Sequence, residues 1–259
     1  MTKFSHLKQL LCLASLGLAL THSSSAAELT STIKTAKASV VAVGSLQKLR
    51  SPAISFNGTG FVVGDGLTVI TNAHAVNRPL DPENPEVLGV LIGKGEVTDF
   101  RPAVIVAIDE EHDLARLRIG GSPLPPMVLG DTSDVSEGQS VVFTGFPLGP
   151  VLGFHPATHK GIVAAITPVT KPTQDTRSLS PKVIAQLRRA PYTVFQLDAF
   201  AYPGHSGSPV YDPETGKVYG IVNSVNVKGL KETAITNPSG ITYAIPVNFI
   251  QELLQRNVK

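Results

Sequence analysis

Short runs of apolar and β-branched residues recur along most of the chain and are separated by Gly, Pro, Asn and Asp. One run alternates, with the apolar residues Leu114, Leu117 and Ile119 and with Arg116 and Arg118 between them. Other runs are VVAVGSL, LTVIT, AVIVAI, QSVVFTGF, YTVFQLD and KVYGIVNSV. About a dozen such runs without intervening helical patterns predict an all-β sandwich or barrel, not a parallel sheet with crossover helices.

Two segments at the ends of this β-rich region have helical periodicity instead. In residues 28–40, Leu29, Ile33 and Ala36 share one face, which predicts a short amphipathic helix. In residues 246–257 the apolar side chains also lie on one side, which predicts a terminal helix packed on the body of the protein. These apolar residues are Phe249, Ile250, Leu253 and Leu254.

The segment 171–191 interrupts the strand rhythm. Ser180 followed by Pro181 is a good helix start for the stretch KVIAQLRR. Two interpretations stay open for this segment. It is either a surface loop with a short basic helix or a regulatory or substrate-facing loop.

The first residues have the pattern of a secretory signal peptide. Lys3 and Lys8 precede an apolar run at 10–20, and small polar residues follow up to Glu28. We expect a signal peptide at 1–27, with cleavage after Ala27 or alternatively after Ala26. The apolar run is shorter than the roughly 20 residues that span a bilayer, so we expect no membrane span after signal removal. The sequence therefore predicts an exported protein, in the bacterial periplasm or, alternatively, secreted.

Charge and cysteine content narrow the function classes. Lys and Arg number 22 and Asp and Glu 20, so no strong field favours nucleic acid as a partner. Two of the basic residues leave with the signal peptide, which makes the mature chain formally neutral. The only cysteine, Cys12, leaves as well. We therefore expect no disulfide, no thiol nucleophile and no cysteine metal site in the mature protein.

The stretch AYPGHSGSPV at 201–210 places Ser206 between two glycines after a histidine. Such small-residue clusters are also a common loop signal, so a catalytic interpretation needs a base and an acid elsewhere. His74 is the best base, because the apolar strand LTVIT leads directly into the segment that carries it. Asp113 stands at the entry to the alternating strand, where a half-buried carboxylate needs a partner. The order His74, Asp113, Ser206 is that of chymotrypsin-type enzymes, not of subtilisins or α/β-hydrolases.

The other histidines of the mature chain are weaker candidates. We expect His112, His155 and His159 to lie in polar or Pro-containing loops. His155 and His159 have the spacing of a helical metal pair, but Pro156 and the lack of nearby carboxylates argue against a metal site. We therefore expect no metal and no other cofactor.

Taken together, these motifs resemble the chymotrypsin-fold (trypsin-like) serine proteases, in particular the HtrA/Deg-like branch. The resemblance rests on blocks in the family's order: GTGFVVGDGLTVITNAHAV, HDLARLRI, GQSVVFTGFPLG, HKGIVAAI, QLDAFAYPGHSGSPV, GKVYGIVNS and GITYAIPVNFIQELL. It implies a double six-stranded antiparallel β-barrel with a short N-terminal helix and a C-terminal helix. It places the protease domain at 28–259, with the boundary between barrels near 130–140. We expect no PDZ domain, although HtrA proteases commonly carry one.

The resemblance also implies residue roles. Ser206 would be the nucleophile, His74 the general base and Asp113 the residue that orients the imidazole. The backbone N–H groups of Gly204 and Ser206 would form the oxyanion hole. The substrate pocket would be lined by residues 199–204 and 223–225, including Phe200, Asn223, Ser224 and Val225.

Phe200 stands where trypsins keep an aspartate that binds basic side chains, so cleavage after Lys or Arg is not expected. We expect small to medium aliphatic side chains at P1, with Glu as the second choice.

Two positions depart from the HtrA pattern G-N-S-G-G. Ser208 replaces the second glycine, as in glutamyl-endopeptidase and exfoliative-toxin relatives. His205 stands where trypsins keep the aspartate that pairs with a freshly cut N-terminus. No Ile/Val-Val/Ile-Gly-Gly start is present, which argues against trypsin-type zymogen activation. Whether the oxyanion loop is pre-formed or ordered by a ligand stays open.

The sequence therefore predicts an exported serine endopeptidase that acts on polypeptides, with a role in envelope protein quality control. Two alternatives remain. One is a latent or non-cleaving polypeptide-binding protein of chaperone type, and the other is a narrow-specificity secreted protease of glutamyl type.

Overall fold

The β-rich runs form two closed barrels in a computed structural model that describes residues 23–77, 85–94, 97–168, 192–223 and 240–256. The first barrel comprises β1 Val40–Leu46, β2 Ile54–Val63, β3 Thr68–Thr71, β4 Val87–Lys94, β5 Val97–Asp109 and β6 Leu114–Ile119. The second comprises β7 Ser140–Gly145, β8 Ala157–Pro168, β9 Thr193–Asp198, β10 Pro209–Tyr211, β11 Val218–Asn223 and β12 Ile241–Pro246. The strand order is β1-β2-β3-β6-β5-β4 in the first barrel and β10-β11-β12-β9-β8-β7 in the second. The expected double six-stranded antiparallel barrel is confirmed.

Strand β6 shows why the alternating pattern closes a barrel. Ala115, Leu117 and Ile119 are buried inside the first barrel, while Arg116 and Arg118 lie on the opposite, less buried face. Leu114 lies on the same face as the arginines and is buried in a separate cluster that includes residues of both barrels. The pleat sends successive side chains to opposite faces, so an alternating run buries one face and hydrates the other.

Two helices flank the barrels, as the periodicity predicts. Helix α1 spans Ser23–Ser39, so it begins ahead of the expected cleavage site, and signal cleavage stays a prediction. Helix α2 spans Val247–Gln255 and buries Ile250 and Leu253. No helix of the described residues is both long and apolar enough to cross a membrane.

Helix α2 joins the two barrels. It follows directly on β12 of the second barrel, and its last turn reaches the first barrel. There the Nη1 group of Arg116 donates to the carbonyl of Leu254 at 3.1 Å. Its apolar face belongs to a buried cluster that also contains Phe61 and Leu114 of the first barrel and Ile245 of the second. The barrels therefore share one core where the helix packs.

The segment between β6 and β7 connects the barrels and includes the expected boundary region. It pairs with both barrels: the N–H of Met127 donates to the carbonyl of Val62 at 2.8 Å, and that of Gly130 to Val218 at 2.8 Å. These hydrogen bonds hold the two barrels side by side. The segment 171–191 and Cys12 lie outside the described residues.

Candidate active site

His74 and Asp113 form a two-point contact at one end of the first barrel. The buried strand β3 leads into a single 3₁₀ turn, Ala73–Ala75, that carries His74. Its Nδ1 lies 2.6 Å from Asp113 Oδ2, and its backbone N–H donates to Oδ1 at 2.9 Å. A carboxylate accepts hydrogen bonds, so this contact places the proton on Nδ1 and leaves Nε2 as the basic nitrogen.

The backbone of Asp113 is held as firmly as its side chain. Its φ of 53° lies in the left-handed region, which few non-glycine residues adopt. Its carbonyl accepts hydrogen bonds from the N–H of Ala73 and the Nδ2 of Asn72, both at 3.0 Å. The turn that carries the acid is therefore joined to the segment that carries the base.

Asn223 extends this network into the second barrel. Its Nδ2 donates to Asp113 Oδ2 at 3.2 Å. The sequence placed Asn223 among the pocket residues and did not anticipate its contact with the acid. The Asp113 carboxylate therefore accepts hydrogen bonds from both barrels.

Ser206 lies on the second barrel, next to the segment that carries the base. The N–H of Thr59 in β2 donates to the carbonyl of Ser206 at 2.8 Å. A Cβ on Gly58 would be 2.9 Å from that carbonyl oxygen and 3.6 Å from the Cβ of Ala75, the residue after His74. The structure thus brings the three predicted triad residues to one boundary between the barrels. The Ser206 hydroxyl and His74 form no hydrogen bond in the described chain, and such contacts are often long before substrate binds.

The backbone around Ser206 depends on two glycines. Gly204 has φ +101°, and a Cβ there would be 2.3 Å from the carbonyl of Phe146. Gly207 has φ +89°, and a Cβ there would be 1.9 Å from the carbonyl of Thr59. Only glycine fits such positions, because both the conformation and the space exclude a side chain.

Hydrogen bonding along this loop leaves two N–H groups free. The N–H groups of His205, Gly207 and Ser208 donate to Tyr202, Val222 and His205 carbonyls at 3.0, 3.0 and 2.9 Å. Within the described chain, the N–H groups of Gly204 and Ser206 have no acceptor. Two free donors beside a serine are what an oxyanion hole requires.

Thr59, which sequence reasoning did not single out, braces this loop. Its Oγ1 donates to the carbonyl of Gly204 at 2.7 Å and accepts from the N–H of Phe146 at 3.1 Å. No local pattern marks this residue, because its partner lies 145 positions away.

The side chain of His205 is fully buried beneath the loop. Its ring meets Phe143 edge-on at 5.2 Å and His159 at 4.8 Å between centroids. Burial lowers the pKa of His205 to about 3, with a further contribution from His159. Its Nδ1 lies 3.5 Å from the hydroxyl of Ser208, which is also buried. Both departures from the family motif therefore face the interior of the second barrel.

His159 corrects an expectation. It was expected in a loop, but it lies in β8 paired with Phe143 of β7, and its ring stacks on that phenylalanine at 5.3 Å. Burial lowers the pKa of His159 as well. His155, the other histidine of the candidate metal pair, is exposed. Among the described residues, no group of three or more His, Cys, Asp or Glu side chains could hold a metal ion.

The predicted substrate pocket is only partly described. Phe200 exposes about half of its side chain (49%) and lies near Gly240, where a Cβ would be 3.7 Å from its ring. Ser224 and Val225 lie outside the described residues. The P1 preference therefore stays a prediction.

Comparison with known proteins agrees with this geometry. Residues 58–221 match the model of the trypsin-like peptidase domain. The chain belongs to this family. Among relatives, "Serine protease HTRA2, mitochondrial" of Drosophila persimilis is 30% identical over 206 residues, which cover 79% of this chain and 40% of the relative. The HTRA2 of Drosophila willistoni is also 30% identical, over 79% of this chain and 39% of the relative.

Solved structures confirm the fold of this trypsin-like peptidase domain. The HtrA-type protease AlgW with a decapeptide has a TM-score of 0.63 at 21% identity, covering 88% of this chain and 66% of AlgW. AlgW with a tripeptide gives 0.61, at the same identity and coverage of 88% and 62%. The chain spans about 40% of the length of the curated relatives it matches. The expected membership of the trypsin-like serine proteases of HtrA-like type is confirmed.

Proposed function

We propose that this trypsin-like peptidase domain is a serine endopeptidase that uses Ser206, His74 and Asp113. The observation that supports the proposal is the pair of free N–H groups at Gly204 and Ser206, on the loop whose Ser206 carbonyl accepts from Thr59 of the first barrel. A serine on its own is a weak nucleophile. A base held by a carboxylate and a donor pair for the developing negative charge supply what it lacks.

The reaction follows from these positions. The Ser206 Oγ attacks the scissile carbonyl while His74 Nε2 takes its proton, and the carbonyl oxygen becomes an oxyanion that accepts from Gly204 and Ser206. Asp113 stabilises the imidazolium through Nδ1. The C–N bond then breaks as His74 returns the proton to the leaving amine. Water, activated by the same imidazole, hydrolyses the acyl-enzyme and restores the serine.

Polypeptides are the proposed substrates. The structures of AlgW with a tripeptide and with a decapeptide support binding of peptides by a protein of this fold. An exposed Phe200 in place of an acidic residue favours P1 side chains without positive charge. With the signal-peptide pattern, these points favour a role in envelope protein quality control, in the periplasm or outside the cell.

A fluorophosphonate probe tests the proposal, because it labels only an activated serine. We expect the wild type and the Ser122→Ala control, which alters an exposed serine, to be labelled and to cleave denatured casein. Ser206→Ala and His74→Ala should do neither.

A folded wild type that neither reacts nor cleaves would contradict the proposal. If that protein still bound denatured casein, the non-cleaving, polypeptide-binding function would replace it.

A further inference from the structure

A second carboxylate–histidine pair lies at the start of the turn that carries Asp113. Asp109 is only 4% exposed and accepts hydrogen bonds from the N–H groups of Glu111 at 3.0 Å and His112 at 3.2 Å. Its Oδ2 lies 2.9 Å from the Nδ1 of His112. The mechanism proposed above uses neither Asp109 nor His112.

The ring of His112 packs against two aromatic side chains that also contact each other. It stacks on Phe249 of helix α2 with 3.8 Å between centroids and 18° between planes. The ring of Tyr192 lies edge-on to both of these rings, with its centroid 4.7 Å from that of His112 and 5.5 Å from that of Phe249. A ring packed this way has little freedom, so it fixes the backbone that carries it.

An ion pair closes the same link between the turn and the helix. Arg256, directly after α2, places its Nη2 2.7 Å from Asp109 Oδ2. Burial raises the pKa of Asp109, but hydrogen bonds from His112 and the charge of Arg256 outweigh it and hold this pKa below its usual value. The carboxylate is therefore ionised at neutral pH and attracts both partners.

The other end of the turn is the strained residue Asp113. A left-handed aspartate persists only where its surroundings impose that conformation. Only three residues separate Asp109 from Asp113, so we expect a change at one end of the turn to move the other. Tyr192 lies near both ends of this turn. Burial raises the pKa of Tyr192 to about 12, and the charges of Asp113, Glu111 and Asp109 raise it further.

We propose that His112 is a positioning residue, which fixes the turn from Asp109 to Asp113 against helix α2 and so holds the Asp113 carboxylate on His74. This inference rests on the proposed function, because it assigns a role relative to the triad. It makes the C-terminal helix part of the support of the active site, although the helix contributes no catalytic group.

The test compares variants that remove different parts of the link. His112→Ala removes both the stack and the hydrogen bond, His112→Phe keeps the stack, and Arg256→Met removes the ion pair alone. His155→Ala, at an exposed histidine elsewhere, is the matched control. For His112→Ala we expect kcat to fall roughly ten- to a hundredfold with little change in KM, because misplacement of a catalytic group acts on the chemical step. The Phe and Met variants should show smaller losses.

A pH profile separates positioning from general stability. A carboxylate that has moved away stabilises the imidazolium less, so the acid limb of kcat/KM should shift to lower pH in His112→Ala. The low-field proton resonance of the His74–Asp113 hydrogen bond should weaken or move as well.

Unchanged kcat, acid limb and proton resonance, with only a lower Tm, would overturn the inference. An inactive wild type would overturn the proposed function instead, and the proton resonance would then decide the positioning role without any turnover. If His112→Ala does not fold, His112→Phe and Arg256→Met give the same readouts.

Discussion

In the first barrel, hydrogen bonds to a carboxylate hold His74 and Asp113, whereas in the second barrel the loop of Ser206 combines hydrogen bonds with close backbone contacts and buried rings. Asp113 accepts from His74 by side chain and backbone, and from Asn72 and Asn223. The serine loop also accepts hydrogen bonds from Thr59, but its glycines approach Thr59 and Phe146 so closely that no Cβ fits.

The difference shows how each half responds to change. Hydrogen bonds are directional, so deletion of a polar group alters the charge and orientation of the base while the backbone persists. Close packing responds to volume and to buried charge. Substitutions in the first half should therefore act mainly on the chemical step, and those in the second half on folding of the loop.

The largest effect is expected for Asp113→Asn. The variant keeps the shape of the side chain but favours the wrong imidazole tautomer, so kcat should fall by about 10⁴-fold. Steady-state kinetics with a peptide substrate, beside thermal unfolding, measure this. Asp134→Asn, at an exposed position, is the control. A loss below tenfold in a folded protein would show that Asp113 does not orient His74.

We expect Gly207→Ala to disrupt the close packing of the Ser206 loop. Gly138→Ala is its matched control. Both glycines have positive φ, +89° and +84°, but only the first has a neighbouring atom within reach of a Cβ. Gly138→Ala should lower the free energy of unfolding by about 1 kcal/mol through φ alone. Gly207→Ala should lose roughly 3 kcal/mol or more and abolish labelling of Ser206. Equal losses in urea unfolding would contradict a packing origin.

Low pH should lower the stability of the protein through the buried histidines beneath the Ser206 loop. His205 has its pKa lowered from 6.5 to about 3, so the unfolded chain binds a proton there at pH values where the native protein does not. Stability should therefore fall as the pH drops from about 6.5 towards 3, by a few kcal/mol for this group. The titratable side chains that face the His205 ring are His159 and Tyr202, with 4.8 and 6.4 Å between ring centroids.

Urea unfolding across this range measures the effect. Protonation of native carboxylates such as Asp65 also lowers the stability of the protein in acid. The comparison is therefore between variants, in the slope of the free energy of unfolding against pH. His205→Asn should flatten the curve relative to the wild type, and His155→Asn should not. Identical slopes in all three proteins would exclude His205 as the origin.

The smallest effect is expected where the two halves meet, at Asn223. Its hydrogen bond to the Asp113 carboxylate is one of several, so Asn223→Ala should lower kcat/KM about fivefold, or about 1 kcal/mol. Asn72 donates to the backbone of the same residue, and Asn72→Ala should act on stability more than on kcat/KM. A larger loss of kcat/KM in Asn72→Ala than in Asn223→Ala would contradict these separate roles.

Local patterns predicted much of the architecture. The alternation in β6 and the apolar face of α2 report directly which side of each element is buried, and both are as expected. His159 shows the limit of this reasoning. Its polar surroundings look like a loop, but pairing with Phe143 across the hairpin extends β8 to include it.

The sequence by itself determined a β-rich sandwich or barrel, the flanking helices and the candidates His74, Asp113 and Ser206, because periodicity and residue order are properties of the chain. The double barrel was implied by the resemblance of its motifs to a known family. Only the tertiary structure decided which groups support the candidate residues. Asn223 and Asp113 are 110 positions apart, and Thr59 and Gly204 are 145 apart. The burial of His205 against His159 and the stack of His112 on Phe249 likewise arise only when distant strands and a helix pack. Contacts between remote segments leave no local pattern, because they are selected by the shape of the packed barrels.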